Sequence, residues 1–112
     1  MLDFIKINQV LSNHYFLLRD KISKFDFIFI DGDHRYSQVV KDVRNSYNVL
    51  KPGGILAGHD FEKFKEDIKF DIEPYIEQDT YENMHLGVIK AVSEELEGVQ
   101  REGRIWWTRK AG

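Results

Sequence analysis

Cysteine is absent from the 112 residues of this chain, which excludes a disulfide framework and any thiolate-held zinc centre. Folding therefore needs no oxidising compartment, and a cytoplasmic location is the expectation. Long apolar runs are missing too: none approaches the roughly 18 residues that span a bilayer. The opening MLDFIKINQV lacks the basic, apolar, small-residue layout of a secretion signal, so a soluble protein with no membrane partner is expected. Nor is there an excess of one charge. Sixteen Lys and Arg stand against 19 Asp and Glu, a formal net charge of −3, and nothing in that balance motivates a nucleic-acid partner. Internal repeats and low-complexity tracts are lacking as well. What remains is 42% hydrophobic and 31% charged, the composition of an ordinary soluble chain that buries one small core.

The apolar spacing then sets out the elements. Leu11, Tyr15, Leu18 and Ile22 recur on one helical face, which predicts a helix over about 12–24; the apolar run at Phe4, Ile5 and Ile7 is too short to assign. FDFIFID (25–31) is apolar on both alternating faces apart from Asp26, as in a strand covered on both sides of a sheet. Val40, Val43, Tyr47 and Leu50 predict an amphipathic helix over 37–50 with Ser37 as its N-cap. Lys51-Pro52-Gly53-Gly54 stops it. ILAGHD (55–60) reads as a second buried strand, whose small Ala57 and Gly58 invite close approach. Strand, helix, Gly turn and strand make a βαβ unit with parallel pairing. Residues 61–83 are charged and without sustained period, a partly helical surface connection long enough to be a functional lid or a mobile loop. Helical spacing returns over 86–96. Residues 99–101 and 104–108 then read as an antiparallel hairpin whose Trp106 and Trp107 should face opposite ways.

Ligands of parallel α/β sheets bind outside the carboxyl ends of the strands. Both strands here end alike, in Asp31-Gly32-Asp33-His34 and in His59-Asp60. Several carboxylates and a histidine converging there suit a hard divalent cation such as Mg²⁺, or a general base beside a bound substrate. The plainer alternative is that each Asp merely caps a helix or closes an Asx turn; the shared position of the two groups favours a site. Taken singly, His34 reads as a turn residue, and Tyr36 reads equally as packing over the helix start or as touching a substrate. His14 and His85 belong to no constellation, and the acidic stretch from Glu62 to Glu82 reads as a solvated face.

The continuous block FDFIFIDGDHRYSQVVKDVRNSYNVLKPGGILAGHDF (25–61) resembles the central motifs of class I S-adenosylmethionine-dependent methyltransferases, in the small-molecule branch with DGDH, PGG and HD segments. GVIKAVSEEL and RIWWTRK resemble the helix and final strands that close that domain. The resemblance implies an α/β fold: a partial Rossmann-like sheet, its strands corresponding to the family's fourth to seventh, with flanking helices and a C-terminal antiparallel hairpin. It implies methyl transfer from S-adenosylmethionine to a small-molecule hydroxyl. Asp33 and His59 are the expected catalytic residues, Asp31 and His34 the expected cofactor contacts, and Asp33, His59 and Asp60 the expected ligands of a Mg²⁺ ion. None of the eight glycines forms a G-x-G, and about 24 residues precede the block. The expectation is a single partial domain over 1–112 without the first strands and the Gly-rich cofactor loop: a truncated reading frame, a fragment, or a half whose missing portion comes from a partner chain or a homo-oligomer. Two readings from other classes stand beside it. One is a non-catalytic remnant or oligomerising module, favoured if the 25–31 strand has an unpaired edge. The other is a nucleotide-sugar transferase holding Mn²⁺ through Asp31-x-Asp33, which leaves PGG and HD unexplained.

Overall fold

The structure is a computed structural model that describes residues 4–7 and 25–112. A five-stranded sheet runs β1 (Phe4–Ile7), β2 (Phe25–Ile30), β3 (Leu50–Gly58), β5 (Ile105–Arg109), β4 (Gln100–Glu102) in spatial order. The first three strands are parallel, and β5 lies antiparallel to both β3 and β4. Helix α1 (Tyr36–Val49) makes the crossover from β2 to β3, and helix α2 (Leu86–Glu95) packs against it. This is the α/β, partial Rossmann-like arrangement with a C-terminal hairpin that the motifs imply. The helix expected over 12–24, together with His14, lies outside the described residues.

The buried face of α1 carries Val39, Val43 and Val49, which meet Ile28 and Ile30 of β2, Leu56 of β3, and Leu86, Ile89 and Val92 of α2 in one apolar cluster. Burial of a side chain of this size contributes on the order of 2 kcal/mol, so the helix is held by its face more than by its propensity. Its end differs from expectation. No loop follows Val49: Leu50 is already paired with Phe25, so β3 starts five residues before Ile55 and passes through the Pro-Gly-Gly segment. Gly53, with φ of 80°, takes the left-handed turn inside that irregular stretch. Tyr47 O, which also accepts the Leu50 N–H at the helix end, and Leu50 O accept hydrogen bonds from Lys110 Nζ at 2.8 and 2.9 Å, a cation closing the helix C-terminus from the far end of β5.

Three further expectations resolve at the sheet. The 25–31 strand has no open edge, because β1 pairs with it in register from Phe4↔Phe27 to Ile7↔Ile30; the short run at the N-terminus gains a partner that its own length could not predict. Trp106 is buried and Trp107 half-buried, on opposite faces of β5. Gly58 is the point of close approach: a Cβ there would lie 2.6 Å from Trp106 Nε1, so only glycine lets the indole cross the end of β3. Among the described residues no helix is long and apolar enough to cross a membrane.

Residues 61–83 form neither a free loop nor a regular helix. Two short 3₁₀ turns, Lys65–Asp67 and Glu73–Tyr75, and stacked rings of Tyr75 and Tyr81 at 3.7 Å give the segment its own packing. It straps across the start of α1. Ile76 O accepts from Tyr36 N at 2.8 Å, Glu77 Oε1 accepts from Ser37 N at 2.7 Å, and Ser37 Oγ donates to Glu77 Oε2 at 2.9 Å. Ser37 is thus not the N-cap; α1 begins one residue earlier without a side-chain cap of its own, and its orphan N–H groups are met from 40 residues away in sequence.

Candidate active site

The site lies where β2 and β3 end. Past Ile30 the chain turns through Asp31-Gly32-Asp33-His34 into α1, and past Gly58 it turns through His59-Asp60. Asp60 has φ of 66°, a left-handed conformation that few side chains adopt and Asp adopts more readily than most. That turn sets its carboxylate among three imidazoles. Oδ2 is 2.7 Å from His34 Nε2, and Oδ1 is 3.1 Å from His59 Nδ1 and 3.8 Å from His85 Nδ1. Arg104, from the turn between β4 and β5, approaches the same Oδ1 at 3.4 Å and donates to Glu62 Oε2 at 2.9 Å.

Asp31, His59 and Asp60 bring one ligand atom each to within 4.8 Å of one another. Asp33 stands apart from that group. Its Oδ1 accepts the Arg35 backbone N–H at 2.9 Å in an Asx turn, and the Arg35 guanidinium spans both oxygens at 2.6–3.1 Å. The guanidinium hydrogen bonds, against some burial, hold the Asp33 carboxyl down at about 2. The geometry therefore places Asp31, where Asp33 was expected, beside His59 and Asp60. A carboxylate so well satisfied is a weak base.

His34 is held from both sides, by Asp60 on Nε2 and by Asp79 Oδ1 at 2.5 Å on Nδ1. Burial pushes its pKa down, but the hydrogen bond to Asp79 and the charge and hydrogen bond of Asp60 together outweigh it and raise the imidazole above its ordinary value. Glu62 receives the His85 backbone N–H at 2.8 Å and faces His85 Nδ1 at 2.6 Å. Burial would raise Glu62, yet those bonds and Arg104 leave its carboxyl below the usual range. The cleft bounded by Ile30, Asp31, His34, His59, Asp60 and Trp106 encloses about 10 Å³, room for an ion or a water molecule and far short of an organic ligand.

A family model described as a methyltransferase domain matches residues 5–61, a span that contains β2, α1, β3 and the Asp31, His34, His59 and Asp60 turns. The chain belongs to this methyltransferase family. No curated protein matches it. Within the methyltransferase match the structure gathers Asp31, His34, His59 and Asp60 at one point, with Asp33 at its edge. Tyr36 packs against α2: its hydroxyl donates to Glu94 Oε1 at 2.5 Å, and Lys90 Nζ lies 4.7 Å from its ring centre.

The groups that sequence reasoning passed over come from beyond residue 61. His85 is buried against Glu62 and Asp60, and Asp79 reaches His34. His85 is a buried member of the cluster, and Asp79 keeps an exposed side chain whose carboxylate nevertheless reaches into it. One signal pointed there: His85 directly precedes α2, and His34 lies two residues before α1. Gly87 makes the junction of α2 with α1 possible. A Cβ on it would fall 2.3 Å from His34 O, 2.4 Å from Ile76 O and 2.6 Å from Tyr36 N.

Proposed function

We propose that this methyltransferase-family chain forms the acceptor and cation side of a partial domain that transfers a methyl group from S-adenosylmethionine to a small-molecule hydroxyl. The observation carrying the reading is the convergence of Asp31, His59 and Asp60 at the ends of two parallel strands, where α/β sheets bind their ligands. Two carboxylates and an imidazole suit Mg²⁺ or Mn²⁺. Bound there, such an ion would supply Lewis-acid lowering of an acceptor hydroxyl's pKa. The chain's own residues do the rest. His34, fixed by Asp79 and Asp60, stands 2.7 Å from the Asp60 carboxylate and can pass a proton to it or take one from it. Arg104 offsets part of the negative charge of the buried Asp60, and Trp106 and Ile30 line the cleft.

S-adenosylmethionine is the methyl donor that the family implies, and Asp31 and His34 at the end of β2 are the residues of this chain that would contact it. The cleft between the two strand ends, about 10 Å³, does not itself enclose it. The test uses methyl-labelled S-adenosylmethionine with the chain, Mg²⁺ and a panel of catechol, sugar and polyol acceptors. Label transfer to a hydroxyl, lost in Asp31→Asn, is the expected result. Failure of millimolar S-adenosylhomocysteine to give a binding heat or a higher melting temperature would sink activity of this chain alone. Failure to transfer despite such binding would sink the hydroxyl acceptor.

A further inference from the structure

His34, Asp79 and His85 form a second donor set, set off from Asp31 and His59. One ligand atom of each lies within 4.8 Å of the other two, and the His34 and His85 rings stand 4.3 Å apart, tilted at 58°. What distinguishes the set is the outer partner of each imidazole. His34 has Nε2 on the buried Asp60 carboxylate at 2.7 Å, and His85 has Nδ1 on Glu62 at 2.6 Å, its backbone N–H also tied to Glu62. Each carboxylate fixes the tautomer and orientation of its ring. The nitrogen left to His34 is Nδ1, which faces Asp79, and the one left to His85 is Nε2. Protein metal centres orient their histidine ligands in this way, with a carboxylate on the nitrogen that the metal does not take.

We propose that His34 Nδ1, His85 Nε2 and an Asp79 carboxylate oxygen bind a borderline-soft divalent cation, Zn²⁺ or Co²⁺, separate from the harder site at Asp31, His59 and Asp60. Two imidazoles and one carboxylate match the donor preference of Zn²⁺ and leave a fourth tetrahedral position for water or an oxygen ligand. Ligand atoms at Zn²⁺ stand roughly 3.3 Å apart, so His34 Nδ1 and Asp79 Oδ1, now 2.5 Å apart, open by about 0.8 Å, and the remaining pairs, within 4.8 Å, close by up to about 1.5 Å. Asp79 can supply that movement, because its side chain is 74% exposed and among the described residues only the His34 bond restrains it. The ion replaces the proton now shared between His34 and Asp79. Residues 61–85 then become the element that completes the centre, since Asp79 and His85 both come from it or from its end.

The intact chain is titrated with Co²⁺ and its visible spectrum followed. One equivalent should bring up the intense absorption of four-coordinate cobalt, Zn²⁺ should displace it stoichiometrically, and a large excess of Mg²⁺ should leave it. Asp79→Asn and His85→Gln should each weaken Zn²⁺ binding by about tenfold or more, while Asp31→Asn leaves both the spectrum and the affinity unchanged. His85→Gln also touches a helix start and can unfold the chain, whereas Asp79→Asn changes an exposed side chain and decides the matter alone. A featureless cobalt spectrum overturns the proposal. So does a spectrum that survives Asp79→Asn but disappears in Asp31→Asn, which would put the ion at the ends of the two strands.

Discussion

At the scale of single residues, charge decides more than position in sequence. Asp33 and Asp31 are two residues apart on a strand end, yet Arg35 takes one of them out of the site. That pairing leaves a pH signature. Asp33 titrates at about 2 instead of its ordinary 3.8, so the folded state binds its proton less readily than the unfolded chain does. The stabilisation is fully present above the ordinary value and is lost as the pH falls toward 2. Thermal melts of the wild type and of Arg35→Gln should therefore differ at pH 5 and converge at pH 2. A difference that stays constant over the range would mean that Arg35 acts by packing alone. Because the pair is mostly in contact with water, the gap should be small.

At the scale of elements, the strap over 61–83 does for α1 what a cap residue does elsewhere. Glu77 accepts from Ser37 N and Oγ and sets a negative charge at the helix N-terminus, where the macrodipole favours it. Glu77→Ala should cost about 1 kcal/mol, read in urea melts, and Glu77→Gln should recover part of that loss through its remaining carbonyl oxygen. The junction of α2 with α1 should be less forgiving. Gly87→Ala would drive a methyl into His34 O, Ile76 O and Tyr36 N, all backbone atoms within 2.6 Å, which costs about 1–3 kcal/mol when nothing flexible can yield. An unchanged melting temperature for Gly87→Ala would show that α2 can back away from the site.

The same contrast explains what was legible in the sequence. β2, β3, both described helices and the hairpin follow from local periodicity, whereas β1 is too short to read without its partner, and the ends of β2 and β3 follow from two polar clusters placed alike. Asp79 and His85 were not legible, because their partners lie 45 and 23 residues away and the segment between has no period to place them. Ser37 was misread as a cap because a hydroxyl at a helix start ordinarily accepts from the backbone. Here it donates to a glutamate brought in by the tertiary fold.

At the scale of the whole molecule, the proposed hard-cation site joins two strand ends that meet only in the folded sheet. Asp31 follows β2, His59 and Asp60 follow β3, and the 14-residue α1 separates them in sequence. An ion bound by all three would bind the native state and not the unfolded chain, so binding becomes folding stability by mass action. At ten times its dissociation constant, Mg²⁺ should stabilise the chain by about 1.4 kcal/mol, a rise of roughly 5–10 °C in melting temperature for a domain of this size. A chelator should reverse the shift. Asp31→Asn should abolish it, and Asp79→Asn should leave it intact, because Asp79 contributes only to the neighbouring His34 and His85 set. Loss of the Mg²⁺ shift in both variants would mean that the Asp60–His34–Asp79 chain acts as one centre, with Asp60 and His34 bridging a single ion environment across the top of the sheet.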